Sequence, residues 1–451
     1  MTPIRAAIAS VCLAATVACA PLGGTATRAA VQPDLGSLPA MKTFARQAPP
    51  PVTRSNEDIA RDILDLVFEL ESGRTVPRLT RFDGPITVRV IGASPPTLGP
   101  DLDRLIARLR TEARLDIRPT TGTASITIET MPKTRLQRAV PNAACFVVPG
   151  VSSWDEFRTH RNTARTDWTQ LRARSRAAIF VPSDVSPQEI RDCLHEEMAQ
   201  ALGPLNDLYR LPDSVFNDDN MHAVLTGFDM LVLRAIYAPE LANGMIRDDV
   251  ARRLPALLRR LNPRGAGIPA NQRIKPSRAW KGRIESALRD EGGRPRRLAA
   301  AQDAVTLATQ AGWTGPRRGF SYYVLGRLQL ATSPEAARRS FERAAISYAA
   351  PETAVQKAHV GVQLAALALR SGDAQRTLAI TSEAIPIARS HENAALLSTL
   401  LMFQAEAEDL AGRRPQAAAT RLDSLAWARY GFGRSEAVRA RLTAISDLTP
   451  G

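Results

Sequence analysis

Residues 186–203 read SPQEIRDCLHEEMAQALG, and this stretch decides how the N-terminal half of the chain is interpreted. Ser186 suits a helix N-cap, Pro187 suits the first helical position, and Glu189 three residues after the serine completes a capping box. Gly203 tolerates a left-handed C-cap, and the proline that follows it cannot continue a helix. The stretch therefore predicts a helix that begins at Pro187 and ends at Gly203.

This helix and the segment after it carry more polar side chains than packing alone requires. The segment contains ND at residues 206–207, DSVF at 213–216 and LTGFD at 225–229. On the helix, Glu196 and Gln200 are one turn apart and share a face. We therefore predict a polar site, and its members are His195, Glu197, Gln200, Asn206 and Asp207.

The composition is that of a globular protein with more than one domain. The chain has 451 residues, of which 44% are hydrophobic and 23% are charged. Its net charge of +14 comes mostly from arginines that are spread along the chain, without a dense basic tract interleaved with aromatic residues. This pattern favours a solvated basic surface, so we expect no nucleic-acid partner.

The N-terminus predicts export to the bacterial cell envelope. Arg5 precedes an apolar run over residues 6–18, which is typical of a secretory signal and too short for a stable membrane span. Residues 15–19, ATVAC, resemble a lipobox, although Thr16 replaces the usual leucine. We predict a lipoprotein signal peptide over residues 1–19, with lipidated Cys19 holding a periplasm-facing protein to the membrane. A secreted or soluble periplasmic protein and an uncleaved anchor are the alternatives.

The cysteine count agrees with export. Of four cysteines, Cys12 leaves with the signal peptide and Cys19 takes the lipid, which leaves Cys145 and Cys193 as a pair in an oxidising compartment. A disulfide between these two residues is the simplest prediction, and two separately buried thiols are the alternative.

Residues 20–56 are rich in proline, alanine, glycine and threonine and predict a disordered tether. Residues 57–262 alternate between helical and strand patterns, which predicts one α+β domain. The predicted strands lie near residues 86–90, 115–117, 125–129, 145–148 and 177–181, and the predicted helices begin near residues 56, 101, 187 and 225.

Residues 263–283 are rich in proline, glycine and arginine and predict a linker, whereas residues 284–451 show only helical periodicity. Weak self-similarity at a spacing of about 34 residues, typical of paired-helix repeats, appears in this region. The region resembles tetratricopeptide repeats, which implies an all-α helical-repeat domain and a protein partner. An irregular α-helical bundle is the alternative.

His195-Glu196 matches the start of the H-E-x-x-H motif, in which two histidines bind zinc and the glutamate activates a water molecule. The second histidine is replaced by Ala199, whose methyl group cannot bind a metal. A metal site would need a distant ligand, and the candidate ligands are His195, Asp207 and His222.

The wider run resembles the metzincin and matrixin metallopeptidases. QALG at residues 200–203 matches their break after the helix, and Asn206-Asp207 lie where their third histidine would be. DSVF and LTGFD resemble their later turn and final helix. The same motifs, with CLHEE at residues 193–197, resemble over about residues 57–250 an uncharacterised bacterial family, domain of unknown function 2927. These resemblances imply a degenerate zincin-like α+β domain and no established activity.

Three interpretations of the polar site stay open. They are a metal-free polar network on a retained zincin scaffold, a cation site with oxygen ligands, and a catalytic zinc site. No cofactor is firmly predicted, and zinc or another divalent cation is the one that these side chains would suit. The sequence does not indicate an oligomeric state.

Two functions follow from these interpretations. In the first, the protein is a cell-envelope lipoprotein with a non-catalytic metallopeptidase-like domain and a helical-repeat domain for protein binding. In the second, it is a divergent periplasmic, zinc-dependent metallopeptidase that uses Glu196 as its general base.

Overall fold

The computed structural model describes residues 38–45, 52–141, 143–271, 277–289 and 292–450. The described residues form two compact units, one of residues 52–271 and one of residues 38–45 together with 277–450. The predicted signal peptide and the predicted lipidation of Cys19 lie outside the described residues. Within those ranges, no helix combines the length and the apolar character that crossing a membrane requires.

The first unit alternates helices and strands, as the sequence predicts for an α+β region. Its helices are α1 (Asn56–Phe68), α2 (Leu98–Thr111), α3 (Lys133–Ala139), α4 (Trp154–His160), α5 (Pro187–Leu202), α6 (Gly227–Ile236) and α7 (Arg247–Leu261). Its strands are β1 (Ile86–Gly92), β2 (Ile117–Pro119), β3 (Ile126–Met131), β4 (Phe146–Pro149) and β5 (Ala177–Pro182).

The five strands form one mixed sheet with the order β2-β1-β3-β5-β4. All neighbours pair in parallel except β4, which runs antiparallel to β5 at one edge. Every residue of β5 is buried, because its alternate side chains enter two different cores. Ile179 and Val181 join the core that contains α5, whereas Phe180 packs with Trp154 and Phe157 on the opposite face.

Helix α5 is held under the sheet by packing and by a covalent link. It contacts α2, β4 and β5. The structure joins Cys193, which lies on α5, to Cys145, which immediately precedes β4, in a disulfide with a Cα–Cα distance of 5.9 Å. The predicted pairing of these cysteines is therefore present, and it fixes the edge strand of the sheet to the helix below it.

The second unit is built from helices from Arg278 onward. Its helices are α8 (Arg278–Leu288), α9 (Gly293–Gln310), α10 (Pro316–Gln329), α11 (Pro334–Ser347), α12 (Ala354–Arg370), α13 (Ala374–Ser390), α14 (Ala394–Leu410), α15 (Arg414–Phe432) and α16 (Ser435–Ser446). Each helix contacts the next, and α12 also contacts α14. The predicted linker is partly helical, since a short 3₁₀ helix covers Pro263–Gly267 and α8 begins at Arg278.

Part of the predicted tether is packed. Phe44 is buried and its ring stacks on Trp427 with the ring centroids 4.5 Å apart. The backbone N–H of Lys42 donates to the carbonyl oxygen of Ala426 at 3.1 Å, and Arg429 donates to the carbonyl oxygen of Pro39 at 2.7 Å. Residues 38–45 are therefore part of the helical unit, because the Phe44 ring packs on an aromatic surface and the backbone that precedes it is hydrogen-bonded.

Small residues lie where consecutive helices of this unit touch. A Cβ atom added at Gly326 on α10 would lie 2.7 Å from Cε1 of Phe341 on α11. A Cβ atom added at Gly431 on α15 would lie 2.7 Å from Cα of Ala395 on α14. These contacts agree with the small-residue pattern in the sequence, since any larger side chain would push the paired helices apart.

We predict that Gly326→Ala lowers the free energy of unfolding by about 1–3 kcal/mol, because the new methyl group overlaps the Phe341 ring. The matched control is Gly282→Ala on the exposed side of α8, where a Cβ atom would meet nothing within 4 Å. The control should stabilise the helix by roughly 0.5–1 kcal/mol. The measurement is the urea midpoint followed by circular dichroism, and an equal rise in both variants would contradict the close helix contact.

Candidate functional site

Helix α5 begins at Pro187, as the sequence predicts, but it differs from the prediction at both ends. The Ser186 hydroxyl accepts the backbone N–H of Glu189 at 3.2 Å, and Pro187 occupies the first turn. The predicted capping box is only half formed, because the Glu189 carboxylate pairs with Lys133 at 2.8 Å instead of the Ser186 backbone. Gly203 has an extended φ of −175°, so the predicted left-handed cap is wrong. Glycine is needed there because a Cβ atom would lie 2.7 Å from Cδ1 of Ile236.

A buried arginine caps the C-terminal end of α5. The guanidinium of Arg174 donates to the carbonyl oxygens of Gln200 at 2.5 Å, Ala201 at 2.6 Å and Gly203 at 2.6 Å. Trp168 stacks on the guanidinium, with 4.7 Å from its central carbon to the ring centroid. Burial lowers the pKa of Arg174 to about 10, so it stays cationic near neutral pH and complements the negative end of the helix.

His195 faces the protein core and the segment that leads to α6. It is only 2% exposed, and its Nδ1 accepts the backbone N–H of Leu225 at 3.1 Å. Burial, together with the positive charges of Arg191, Arg108 and Arg104, lowers the pKa of His195 well below its usual value. The imidazole is therefore neutral at neutral pH, and its Nδ1 lone pair is engaged by the main chain.

The residues present do not fit the zinc that the zincin resemblance implies. Ala199 occupies the second-ligand position and is fully buried in the apolar core. Nε2 of His222 donates to the carbonyl oxygen of Pro212 at 2.7 Å, and Oδ1 of Asp207 is buried without a hydrogen-bond partner among the described residues. The three candidate ligands therefore lie in three unrelated surroundings. Across the described ranges, no group of three or more His, Cys, Asp or Glu side chains is arranged to hold a metal ion.

The DSVF and LTGFD motifs build a buried hydrogen-bond network. Asp229 and Thr226 form a reciprocal capping box at the start of α6. The Asp229 carboxylate also accepts the Ser214 hydroxyl at 2.5 Å and the backbone N–H of Val215 at 3.2 Å. Burial raises the pKa of Asp229 to about 6 in spite of these donors. Asp213 pairs with Arg54 at 2.6 Å, so each polar residue of these motifs has a scaffolding contact.

Two acidic side chains of α5, Glu196 and Glu197, have raised pKa values. Burial, with the negative charges of Glu71 and Asp218, raises the pKa of Glu196 to about 7. Burial, with Glu196 and Glu71, raises the pKa of Glu197 well above its usual value. The same groups act on Asp207, whose pKa burial also raises strongly. Burial is thus the largest cause of the raised pKa of all three carboxyl groups, and their carboxyl neighbours add to it.

A comparison with protein families supports the resemblance that these motifs carry. Residues 56–256 match the family described as protein of unknown function (DUF2927). The match covers α1 to most of α7 and includes every predicted member of the polar site. No curated protein and no solved structure matches the chain.

Within the matched residues 56–256, only part of the predicted polar site comes together. Glu196, Glu197 and Asp207 are close enough to influence one another or their shared neighbour Glu71. His195 points elsewhere, as described above. The amide of Asn206 donates to the carbonyl oxygen of Asp65 at 3.1 Å, and Gln200 is tied down through its main-chain carbonyl by the arginine cap.

Sequence reasoning missed two contributors in this segment. Glu71 lies in the turn after α1, more than a hundred residues from α5, and nothing in its local sequence marks it. Arg174 is one arginine among many in an arginine-rich chain. Only the fold shows that Glu71 acts on the carboxyl groups of α5 and that Arg174 binds the carbonyl oxygens at its end.

Proposed function

We propose that the protein is a cell-envelope lipoprotein whose zincin-like domain is non-catalytic and whose helical region binds a protein partner. The proposal depends on which residues occupy the two positions of α5 that hold metal ligands in the H-E-x-x-H motif, and on what those residues contact. His195 accepts a main-chain hydrogen bond in the core, and residue 199 is a buried alanine. Both positions stabilise the fold, and neither presents a metal ligand.

The zincin-like description is supported by the order of the elements. A mixed sheet precedes α5, and its last strand β5 leads directly into the helix that carries His195-Glu196. The segment after the helix then reaches a final capped helix through the DSVF and LTGFD motifs. We infer that the scaffold was retained while its ligand positions were converted to packing roles.

The envelope location is supported by two independent features. The first is the short apolar N-terminal run that ends at Cys19. The second is the disulfide between Cys145 and Cys193, because structural disulfides persist in oxidising compartments such as the periplasm. A lipid on Cys19 would hold the protein at the membrane and leave both units facing the periplasm.

The partner-binding role is supported by an apolar groove in the helical unit. The groove has a volume of about 70 Å³ and lies between α11, α12 and α13. Val360, Leu364 and Ile380 line it, and the ion pair of Lys357 with Glu383 lies at its rim. Ile346, on the same helix as the lining residue Ala345, is 75% exposed. An apolar groove and an exposed isoleucine on one of its helices suit apolar side chains of a partner protein.

A second function has one observation in its favour. The pKa of Glu196 is raised to about 7, which suits a general base at neutral pH. In this alternative the protein is a divergent peptidase, and Glu196 activates the attacking water molecule. In this alternative, zinc binding through Nδ1 of His195 would require the loss of its present hydrogen bond to Leu225.

Elemental analysis and peptide hydrolysis together separate the two functions. The purified protein is equilibrated with zinc, dialysed and compared with His195→Ala, Glu196→Gln and, as a matched control in the helical unit, His391→Ala. We expect sub-stoichiometric zinc and no difference among the four proteins in either assay. Stoichiometric zinc that is lost in His195→Ala, with hydrolysis that is lost in Glu196→Gln, would establish the peptidase instead.

The partner-binding role is tested by chemical cross-linking in envelope fractions. Leu364→Arg should abolish a cross-linked species seen with the wild-type protein, because it places a charge in the apolar groove. The matched control is Leu422→Arg on α15, which charges an exposed leucine outside the groove lining and should leave the species intact. Equal yields from all three proteins would contradict binding at the groove.

A further inference from the structure

Residues 38–45 form a strap that lies on helix α15 of the helical unit. The ring of Phe44 stacks on the indole of Trp427, with an interplanar angle of 28° and the ring centroids 4.5 Å apart. Phe44 is 5% exposed and Trp427 is 4% exposed, so both rings are removed from water. The strap is therefore anchored by one aromatic side chain, as a short bound peptide often is.

A basic side chain of the strap binds the same face of α15. Nζ of Lys42 lies 2.5 Å from Oδ1 of Asp423 and 6.0 Å from the centroid of the Trp427 ring. Lys42 and Phe44 therefore reach the same indole, as residues two apart in an extended chain can. Asp423 and Trp427 are four residues apart on α15, so they lie one turn apart on one face of the helix. The spacing on the strap matches the spacing on the helix.

The main chain of the strap is bound as well as its side chains. The backbone N–H of Lys42 donates to the carbonyl oxygen of Ala426 at 3.1 Å. The guanidinium of Arg429 donates to the carbonyl oxygen of Pro39 at 2.7 Å. Contacts to the main chain do not depend on ligand sequence, so another extended segment could make them too. Thr43 is exposed, so the sequence preference comes from the lysine and the phenylalanine.

A residue of helix α13 completes the surroundings of the indole. The central guanidinium carbon of Arg389 lies 5.6 Å from the centroid of the Trp427 ring, and its Nη2 lies 3.9 Å from Oδ2 of Asp423. Arg389 and Lys42 thus approach different oxygens of the same carboxylate. Without the strap, this surface would present an indole beside the carboxylate oxygen that Lys42 now occupies. Such a surface suits a ligand with a basic and an aromatic side chain close together.

Two features of the contact favour exchange of the strap for another segment. The side chain of Lys42 is 51% exposed, and an exposed ion pair adds little to stability. Nε1 of Trp427 is buried without a hydrogen-bond partner among the described residues, and an unsatisfied buried donor weakens a packed state. A competing segment that also brings an acceptor to this N–H would therefore bind more tightly than the strap.

We propose that the surface of α15 around Trp427 and Asp423 binds an extended peptide that has a basic residue two positions before an aromatic residue. The strap occupies this site in cis, and a segment of a partner protein with the same pattern displaces it. The groove between α11, α12 and α13 is lined by other residues, so the two surfaces are distinct. The proposal rests neither on that groove nor on the state of the residues around His195.

Fluorescence anisotropy of a dye-labelled peptide with the sequence of residues 38–45 tests the site on the whole protein. Phe44→Ala removes the anchor of the strap, so this variant should bind the peptide. The wild-type protein should bind it at least about tenfold more weakly, because its own strap occupies the site at a high effective concentration. The matched control Thr43→Ala changes an exposed residue of the strap and should behave like the wild-type protein.

A charge exchange shows whether the peptide binds at this site or on some other apolar surface. In the Phe44→Ala protein, the additional change Asp423→Lys should weaken binding of the peptide by about two- to fivefold, which is the range for an exposed ion pair. A peptide that carries Lys42→Glu should recover this loss, because it re-forms the ion pair with the charges reversed. A peptide that carries Phe44→Ala should bind none of the proteins.

Three outcomes would overturn the proposal. The first is equal binding of the peptide by the wild-type and Phe44→Ala proteins. The second is no binding by a Phe44→Ala protein whose circular dichroism matches that of the wild type. The third is a wild-type dimer, seen by size-exclusion chromatography, that becomes a monomer in Phe44→Ala, since the strap would then serve a second copy of the chain. Metal content and peptide hydrolysis affect none of these readouts.

Discussion

The hydrogen bond from the backbone N–H of Leu225 to Nδ1 of His195 is the contact on which the arrangement of the first unit depends. It joins the middle of α5 to the start of the segment that caps α6. A buried backbone N–H or a buried imidazole nitrogen destabilises the fold when it has no hydrogen-bond partner. This hydrogen bond satisfies both groups. The hydrogen bond also gives His195, the single histidine of α5, a structural role. One turn later, the buried Ala199 cannot serve as a second metal ligand.

The contacts around α5 also hold this helix and its neighbouring segments in place. Arg174 neutralises the carbonyl end of the helix, the Cys145–Cys193 disulfide fixes the helix to the sheet edge, and Asp229 holds the DSVF turn. A peptidase would need polar groups on α5 that point into a cleft. Here the polar groups of the conspicuous motifs point mostly into the scaffold.

The fold could be predicted largely from the sequence, because its main elements have strong local signals. Alternation marks β1, a continuous apolar run marks β5, and Ser186-Pro187 marks the start of α5. Helices α3 and α4 were missed because each has only seven residues, which is too short for a helical period to stand out. Helix α7 was missed because Pro255 lies inside it and arginines dominate its sequence.

The candidate site was less predictable, because its geometry depends on contacts distant in sequence. The motif around His195 correctly identified the helix, but it could not show which way the imidazole points. The cluster with Glu71 depends on where a turn after α1 lies relative to α5, and no local pattern encodes that. Phe44 is a similar case, since a single aromatic residue in a tether-like composition packs on Trp427.

The most direct test of this account is the protonation state of His195, observed by long-range ¹H–¹⁵N NMR on the ¹⁵N-labelled protein. The account predicts a neutral imidazole whose Nδ1 carries no proton and whose Nε2 does, unchanged between about pH 5 and pH 8 and unchanged on addition of zinc. An imidazole that titrates near its ordinary pKa of about 6.5, or whose nitrogen signals shift with stoichiometric zinc, would contradict the account and return His195 to the role of a metal ligand.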